Sequence, residues 1–183
     1  RSYRLFEPEM NAEAQSRHQI AVGLRGAIDR EELEVYYQPI VNLRSNAITG
    51  FEALLRWRHP ERGVVSPAEF IPVAEETGLI VEIGEWVLQN ACREMKRWID
   101  AGLPPLRVAV NVSALQLRRK DFVQTLESVL AIRRGQNSPL GLDIEVTETI
   151  LLEDVEASIK KLNAIRDMGL KISVDDFGTG YSS

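Results

Sequence analysis

The segment Leu142-Asp143-Ile144-Glu145-Val146-Thr147-Glu148 (LDIEVTE) alternates apolar and polar residues without a break. Successive side chains of a strand point to opposite sides, so Leu142, Ile144 and Val146 share one face and Asp143, Glu145 and Thr147 the other. Three more segments read the same way. Phe51, Ala53, Leu55 and Trp57 oppose Glu52, Leu54 and Arg56. Val108, Val110 and Val112 oppose Ala109, Asn111 and Ser113. Ile172 and Val174 oppose Lys171, Ser173 and Asp175. A doubly wound sheet is covered on both faces and reads as continuous apolar runs, which these segments do not. An apolar face under helices, with a polar residue near each strand's end, is the pattern of an α/β, TIM-like (β/α) barrel whose mouth carries the chemistry. An antiparallel sheet with one solvated face gives the same alternation; the helices between the strands weigh against it.

Those helices are marked locally. Ile20, Leu24, Ala27 and Ile28 recur at helical spacing, which predicts a helix from about Asn11 to Arg30. Two strands follow, Leu33 to Val41 and Ile48 to His59, with a turn at Asn42 to Ala47. Ser66 and Glu69 form a capping-box pattern with Pro67 at the first helical position, for a helix ending near Gly78. A longer helix, Ile80 to Ala101, is stopped by Gly102 and Pro104. The strand Leu106–Ser113 runs into a second capping box, Ser113 with Gln116, and helix to about Arg133. Gly135 to Gly141 reads as loop. Leu152, Val155, Ile159 and Leu162 mark a helix that ends at Gly169, and Lys171 to Asp176 is the last strand.

In a barrel, Glu52, Asn111, Glu145 and Asp175 converge on one small volume. Three acids and an amide cannot share such a site without counter-charge. A hard divalent cation, Mg²⁺ or Mn²⁺, supplies it most simply, and Asp176 could help to hold a second ion. The alternative is four solvated polar residues on an open face.

The remaining composition narrows the class. The chain has 183 residues, 44% apolar and 27% charged, with a net charge of −5. It suits one globular domain and lacks the basic excess of a DNA or RNA binder. A single cysteine, Cys92, excludes an internal disulfide and sits at an apolar helical position. His18 and His59 are too widely spaced to suggest zinc. No apolar run is long enough to span a membrane, and no signal peptide is evident. The chain begins at Arg1, and we expect a cytoplasmic piece of a longer protein.

The segments YYQPIV, FEALLRW, VAVNVS, LDIEVTET and ISVDDFGTGYSS stand in this order between Leu33 and Ser183. Together they closely resemble the EAL domain of bacterial cyclic di-GMP phosphodiesterases, whose name is the triplet Glu52-Ala53-Leu54. The resemblance implies a TIM-like barrel with an antiparallel first strand, of which about five of eight strands are present here. It implies two Mg²⁺ or Mn²⁺ ions, with Glu52, Asn111, Glu145 and Asp175 as ligands and Asp176 joining Asp175 on the second. Gln38, Leu54 and Arg56 become substrate contacts: an amide, an apolar surface for guanine and a planar fork for phosphate. Glu148 resembles a glutamate that anchors the DFGTGYSS loop, in which Gly178 and Gly180 permit sharp bends; the anchor is the favoured reading, and an acid in the first turn of the next helix also fits.

By that resemblance the intact domain hydrolyses cyclic di-GMP to linear pGpG, with Glu52, Asp175 and Asp176 central to catalysis. The alternative is a non-catalytic cyclic di-GMP receptor. Residues 31–183 are then an EAL domain incomplete at its C-terminal end, expected to be inactive alone, since a lysine-aspartate pair and a further glutamate of the family would lie past Ser183. Residues 1–30 resemble the helical joint to an upstream GGDEF or sensory domain, although an ordinary helix packed on its own barrel also fits. A homodimer is expected, with any membrane attachment through upstream regions.

Overall fold

The computed structural model describes residues 8–133, 141–147 and 155–175. Helix α1 (Pro8–Leu24) leads to an antiparallel hairpin of β1 (Leu33–Asn42) and β2 (Ala47–His59). β-Branched and aromatic residues favour both strands. Asn42 makes the turn: its Oδ1 accepts from the backbone N–H groups of Arg44, at 2.9 Å, and Ser45, at 3.1 Å. A three-residue strand, β3 (Gly63–Val65), folds back on the end of β2. It is too short to show periodicity. His59 closes that turn by accepting from Glu61 and Arg62 through Nδ1.

Helices α2 (Pro67–Thr77) and α3 (Ile80–Asp100) meet at Gly78, whose φ of 77° is the left-handed conformation that glycine adopts freely. Strand β4 (Arg107–Val112) follows, then α4 (Ala114–Arg118), α5 (Phe122–Leu130) and a single 3₁₀ turn, Ala131–Arg133. Next come β5 (Leu142–Thr147), α6 (Val155–Asp167) and β6 (Lys171–Asp175). The sheet order is β1-β2-β4-β5-β6, with β3 off this path on β2. Strands β2, β4, β5 and β6 are mutually parallel. The mixed sheet carries the antiparallel first strand expected from the sequence.

Three local expectations need correction. Helix α1 ends at Leu24, and residues 25–31 form turns rather than continued helix; Gly26 has φ 74° and breaks the helical path. The helix expected up to Arg133 is broken between α4 and α5, where Arg119 takes extended geometry, φ −58° and ψ 138°. Ser66 does cap α2 in extended geometry, but its side chain makes no capping hydrogen bond, so the box with Glu69 is absent. Both residues are solvent-exposed, and water competes for the same groups. The Ser113–Gln116 box forms fully: Ser113 Oγ accepts from the Gln116 N–H at 3.3 Å and Gln116 Oε1 accepts from the Ser113 N–H at 3.1 Å. Gln116 is buried, so no water displaces it.

The core lies between the sheet and the helices. Val108, Val110, Val112, Leu142, Ile144 and Val146 are all buried, as their alternation requires. Trp57 is fully buried and meets Phe70 of α2 edge-on at 5.7 Å. Trp98 of α3 packs against Tyr37 and Phe51, at 5.2 and 5.1 Å, and covers the hairpin. Cys92 is buried, as expected of a small core residue. At the N-terminal end of the parallel strands, Arg107 forks onto buried Asp143, with Nε to Oδ2 at 2.8 Å. Asp143 is thus tied at the end of the sheet away from the mouth.

The α1–β1 junction is locked by charge. Arg30 donates to the carbonyls of Gly23 and Arg25 near the end of α1 and forks onto Glu32. Glu32 also accepts from the Trp57 indole N–H at 3.1 Å. The Arg30 hydrogen bond holds the Glu32 carboxyl below its ordinary range, with burial opposing and the Trp57 N–H assisting. A depressed folded-state pKa contributes stability that is complete above the unfolded-state value and is lost as pH falls through the folded one. Glu32→Gln should therefore cost about 1–2 kcal/mol at pH 7. Urea denaturation across a pH series should show that difference shrinking below about pH 4; a difference that grows on acidification contradicts the lock.

Gly50 has a different task. A Cβ there would stand 2.6 Å from the Arg107 carbonyl oxygen on β4. Gly50→Ala should destabilise by about 1–3 kcal/mol through forced separation of the two strands, read from the urea midpoint.

Candidate active site at the strand ends

The strand registers place the expected site residues on one face. Gln38 lies opposite Glu52, Tyr36 opposite Leu54 and Glu34 opposite Arg56. Across the parallel strands, Glu52 is level with Ala109, Asn111 with Glu145, and Thr147 with Asp175. Passing from Glu52 to Asn111, Glu145 and Asp175, the chosen position climbs by two residues, then none, then two. Barrel strands tilt, and closure needs a stagger of roughly one residue per strand. The climb follows that stagger, so the four positions come to about one height at the sheet's C-terminal end.

One contact in the set is direct: Asn111 Nδ2 donates to Glu52 Oε1 at 2.9 Å. That bond turns the amide oxygen of Asn111 away from Glu52. Glu145, half-buried, stands level with Asn111 on the next strand. Asp175 closes β6, and its position is known through its register with Thr147. Asp176, Glu148, Gly178 and Gly180 lie outside the described residues, as does the loop expected at residues 135–140. Among the described residues, no three His, Cys, Asp or Glu side chains are grouped closely enough to hold a cation.

On the hairpin, Arg56 lies 5.6 Å above the Tyr36 ring and donates to the Leu55 carbonyl at 2.9 Å. Its neighbour Arg58 pairs with Glu34 at 2.8 Å and donates to the Tyr36 hydroxyl at 2.6 Å. Arg58 thus takes up the nearby carboxylate, and Arg56 forms no ion pair among the described residues. Gln38 is exposed on the same face.

Strand β2 pairs with β4 only over Gly50–Ala53. Beyond Ala53 the two part, and the wedge between them holds a cavity of about 270 Å³. Leu54, Arg56, Asn111 and Glu145 border it, together with Ile71 and Glu75 of α2. Glu75 was not singled out from the sequence; it reads there as one more charge on an amphipathic helix. Crowding by protein pushes its carboxyl upward, with Arg118 opposing. Gln116 and Gly84 also border the cavity; a Cβ on Gly84 would come within 2.0 Å of the Gln116 amide nitrogen. Another opening, of about 370 Å³ beside Gly78 and Phe122, contains no expected site residue.

Residues 21–183 match the family model described as EAL domain. The chain belongs to the EAL domain family. MucR of Pseudomonas aeruginosa, a bifunctional diguanylate cyclase/cyclic di-GMP phosphodiesterase, is 46% identical over 181 residues, 99% of this chain and 26% of that protein. The cyclic di-GMP phosphodiesterase PdeR of Escherichia coli is 39% identical over 179 residues, 98% of this chain and 26% of that protein. The chain therefore spans about a quarter of the length of these curated relatives. The structure of PaMucR phosphodiesterase in complex with c-di-GMP superposes with a TM-score of 0.82 at 46% identity, covering 90% of this chain and 66% of that one. The EAL domain is a TIM-like barrel, and the five-strand path described here is part of one.

Within this EAL domain, the mouth and its supports should respond differently to mutation. Asn111 is exposed, so Asn111→Ala should change unfolding free energy by less than about 0.5 kcal/mol. Gln116→Ala removes a buried cap and should cost about 1–2 kcal/mol. Equal losses in urea denaturation would mean that Asn111 is structural.

Proposed function

We propose that the intact EAL domain of which this chain is part hydrolyses one phosphodiester of cyclic di-GMP to give linear pGpG, using two Mg²⁺ or Mn²⁺ ions. The convergence of Glu52, Asn111, Glu145 and Asp175 at one height of the sheet carries the reading. The donor chemistry fits a hard cation: carboxylate oxygens and an amide oxygen, with no thiolate or imidazole. Glu52, Asn111, Glu145, Asp175 and Asp176 would hold the ions, which supply Lewis acidity and a water of lowered pKa.

The chain's own residues do the positioning. The Asn111–Glu52 hydrogen bond orients both donors before any ligand arrives. Arg56, without an ion pair among the described residues, offers two parallel N–H groups to a phosphate oxygen pair. Leu54 gives an apolar surface to a guanine, and Gln38 hydrogen-bonds from the facing strand. By the family resemblance, Glu148 would anchor the loop that carries Asp176. The names of MucR and PdeR and the c-di-GMP complex of PaMucR support the choice of substrate. On the same reading, residues 1–30 join this domain to an upstream GGDEF or sensory domain in a cytoplasmic, homodimeric signalling protein. Helix α1 packs onto α2 with an Arg17–Glu76 ion pair, an arrangement that an ordinary helix on its own barrel shows equally. No helix among the described residues is long and apolar enough to cross a membrane.

The test is turnover of cyclic di-GMP by the parent protein carrying the intact domain, followed by chromatography of pGpG; the 183-residue chain alone is expected to be inactive. A chelator should abolish turnover, and Mg²⁺ or Mn²⁺ should restore it. Glu52→Gln should lower kcat by about 10²–10³-fold. Turnover that survives chelation rejects the metal-dependent mechanism. Binding without turnover under every metal would assign the domain as a cyclic di-GMP receptor.

A further inference from the structure

We infer that Tyr36 and Arg58 are positioning residues that keep the in-plane N–H groups of Arg56 open for a phosphate. This deepens the cyclic di-GMP reading and rests on it. Glu34 and Tyr36 on β1 share the face of the hairpin that carries Glu52, Leu54, Arg56 and Arg58 on β2. Glu34 stands directly opposite Arg56 in the register. Side chains so placed are close enough to form an ion pair. Such a pair would occupy the guanidinium edge that a phosphate needs.

That pair is not made. Glu34 Oε2 lies 2.8 Å from Arg58 Nε instead. Arg58 also donates through Nη2 to the Tyr36 hydroxyl at 2.6 Å. Tyr36, tied at its hydroxyl, sets its ring under Arg56, whose guanidinium carbon is 5.6 Å from the ring centre. An aromatic ring attracts a cation through the ring face. It therefore supports the guanidinium without consuming the N–H groups at its edge. Arg56 Nη1 donates to the Leu55 carbonyl at 2.9 Å, which limits rotation of the group. The Nε and Nη2 edge stays open among the described residues.

Arg58 thus acts twice, by holding Tyr36 and by drawing Glu34 away from Arg56. The side chains of Arg58 and Glu34 are 55% and 40% exposed, so their ion pair adds little to stability. Variants at these positions should fold, and a change in ligand affinity then reports on Arg56.

The experiment is calorimetry with cyclic di-GMP on the parent protein carrying the intact domain. Ca²⁺ replaces Mg²⁺ to hold back turnover, and thermal melting confirms that each variant folds. Arg58→Gln should weaken binding about tenfold, because Glu34 is released onto Arg56. Glu34→Gln alone should change affinity by less than about threefold. Added to Arg58→Gln, it should restore affinity to within about threefold of wild type. Tyr36→Leu should weaken binding about three- to tenfold. It should have no further effect once Arg56→Ala has removed the group that the ring supports. An unweakened Arg58→Gln overturns the positioning role. So does a Glu34→Gln effect of the same factor in both backgrounds, which is the mark of net charge alone. A Tyr36→Leu loss that persists in full beside Arg56→Ala overturns it too. Each of these leaves the cyclic di-GMP reading intact, whereas a wild type that does not bind cyclic di-GMP overturns both.

Discussion

The backbone hydrogen bonding of the parallel ladder is the constraint on which the site depends. Pairing Asn111 with Glu145 and Thr147 with Asp175 fixes their height on adjacent strands. A slip of one residue in any strand would turn its whole polar set to the helix side, because the side-chain period is two. Burial of Val108, Val110, Val112, Leu142, Ile144 and Val146 makes such a slip costly. Hydrophobic packing on one face therefore holds the chemistry on the other.

Two kinds of support hold that ladder against its surroundings. At the end away from the mouth, Arg107 and Asp143 tie β4 to β5 where strain would do least harm to the site. Near the mouth, the Ser113–Gln116 box stops β4 one residue after Val112 and starts α4 at once. Asn111 therefore stands on a strand whose end is fixed. Gly84 makes room for Gln116, so α3 is part of the same support. On the hairpin, Trp57 and Trp98 clamp the helix-facing side and leave Glu52, Leu54 and Arg56 facing the mouth.

Family membership and physical reading meet at the same residues. The match over residues 21–183 places the chain in the EAL domain family, and MucR and PdeR, named as cyclic di-GMP phosphodiesterases, are similar to it. Independently, the registers bring Glu52, Asn111, Glu145 and Asp175, from widely separated segments, to about one height of the sheet.

The local features were legible in the sequence because their causes are local. Alternation in LDIEVTE and LRVAVNVS named the buried faces, and glycine and proline marked where α2 and α3 end. The family motifs named Glu52, Asn111, Glu145 and Asp175 and the antiparallel first strand. Two capping patterns looked alike, Ser66 with Glu69 and Ser113 with Gln116. Only the second formed, since burial rather than residue type decides whether water replaces the bond. The break between α4 and α5, the short strand β3 and the cavity beside Glu75 were likewise settled by tertiary structure. Each depends on which distant segment lies alongside, and a pattern of period two or 3.6 carries no information about that neighbour.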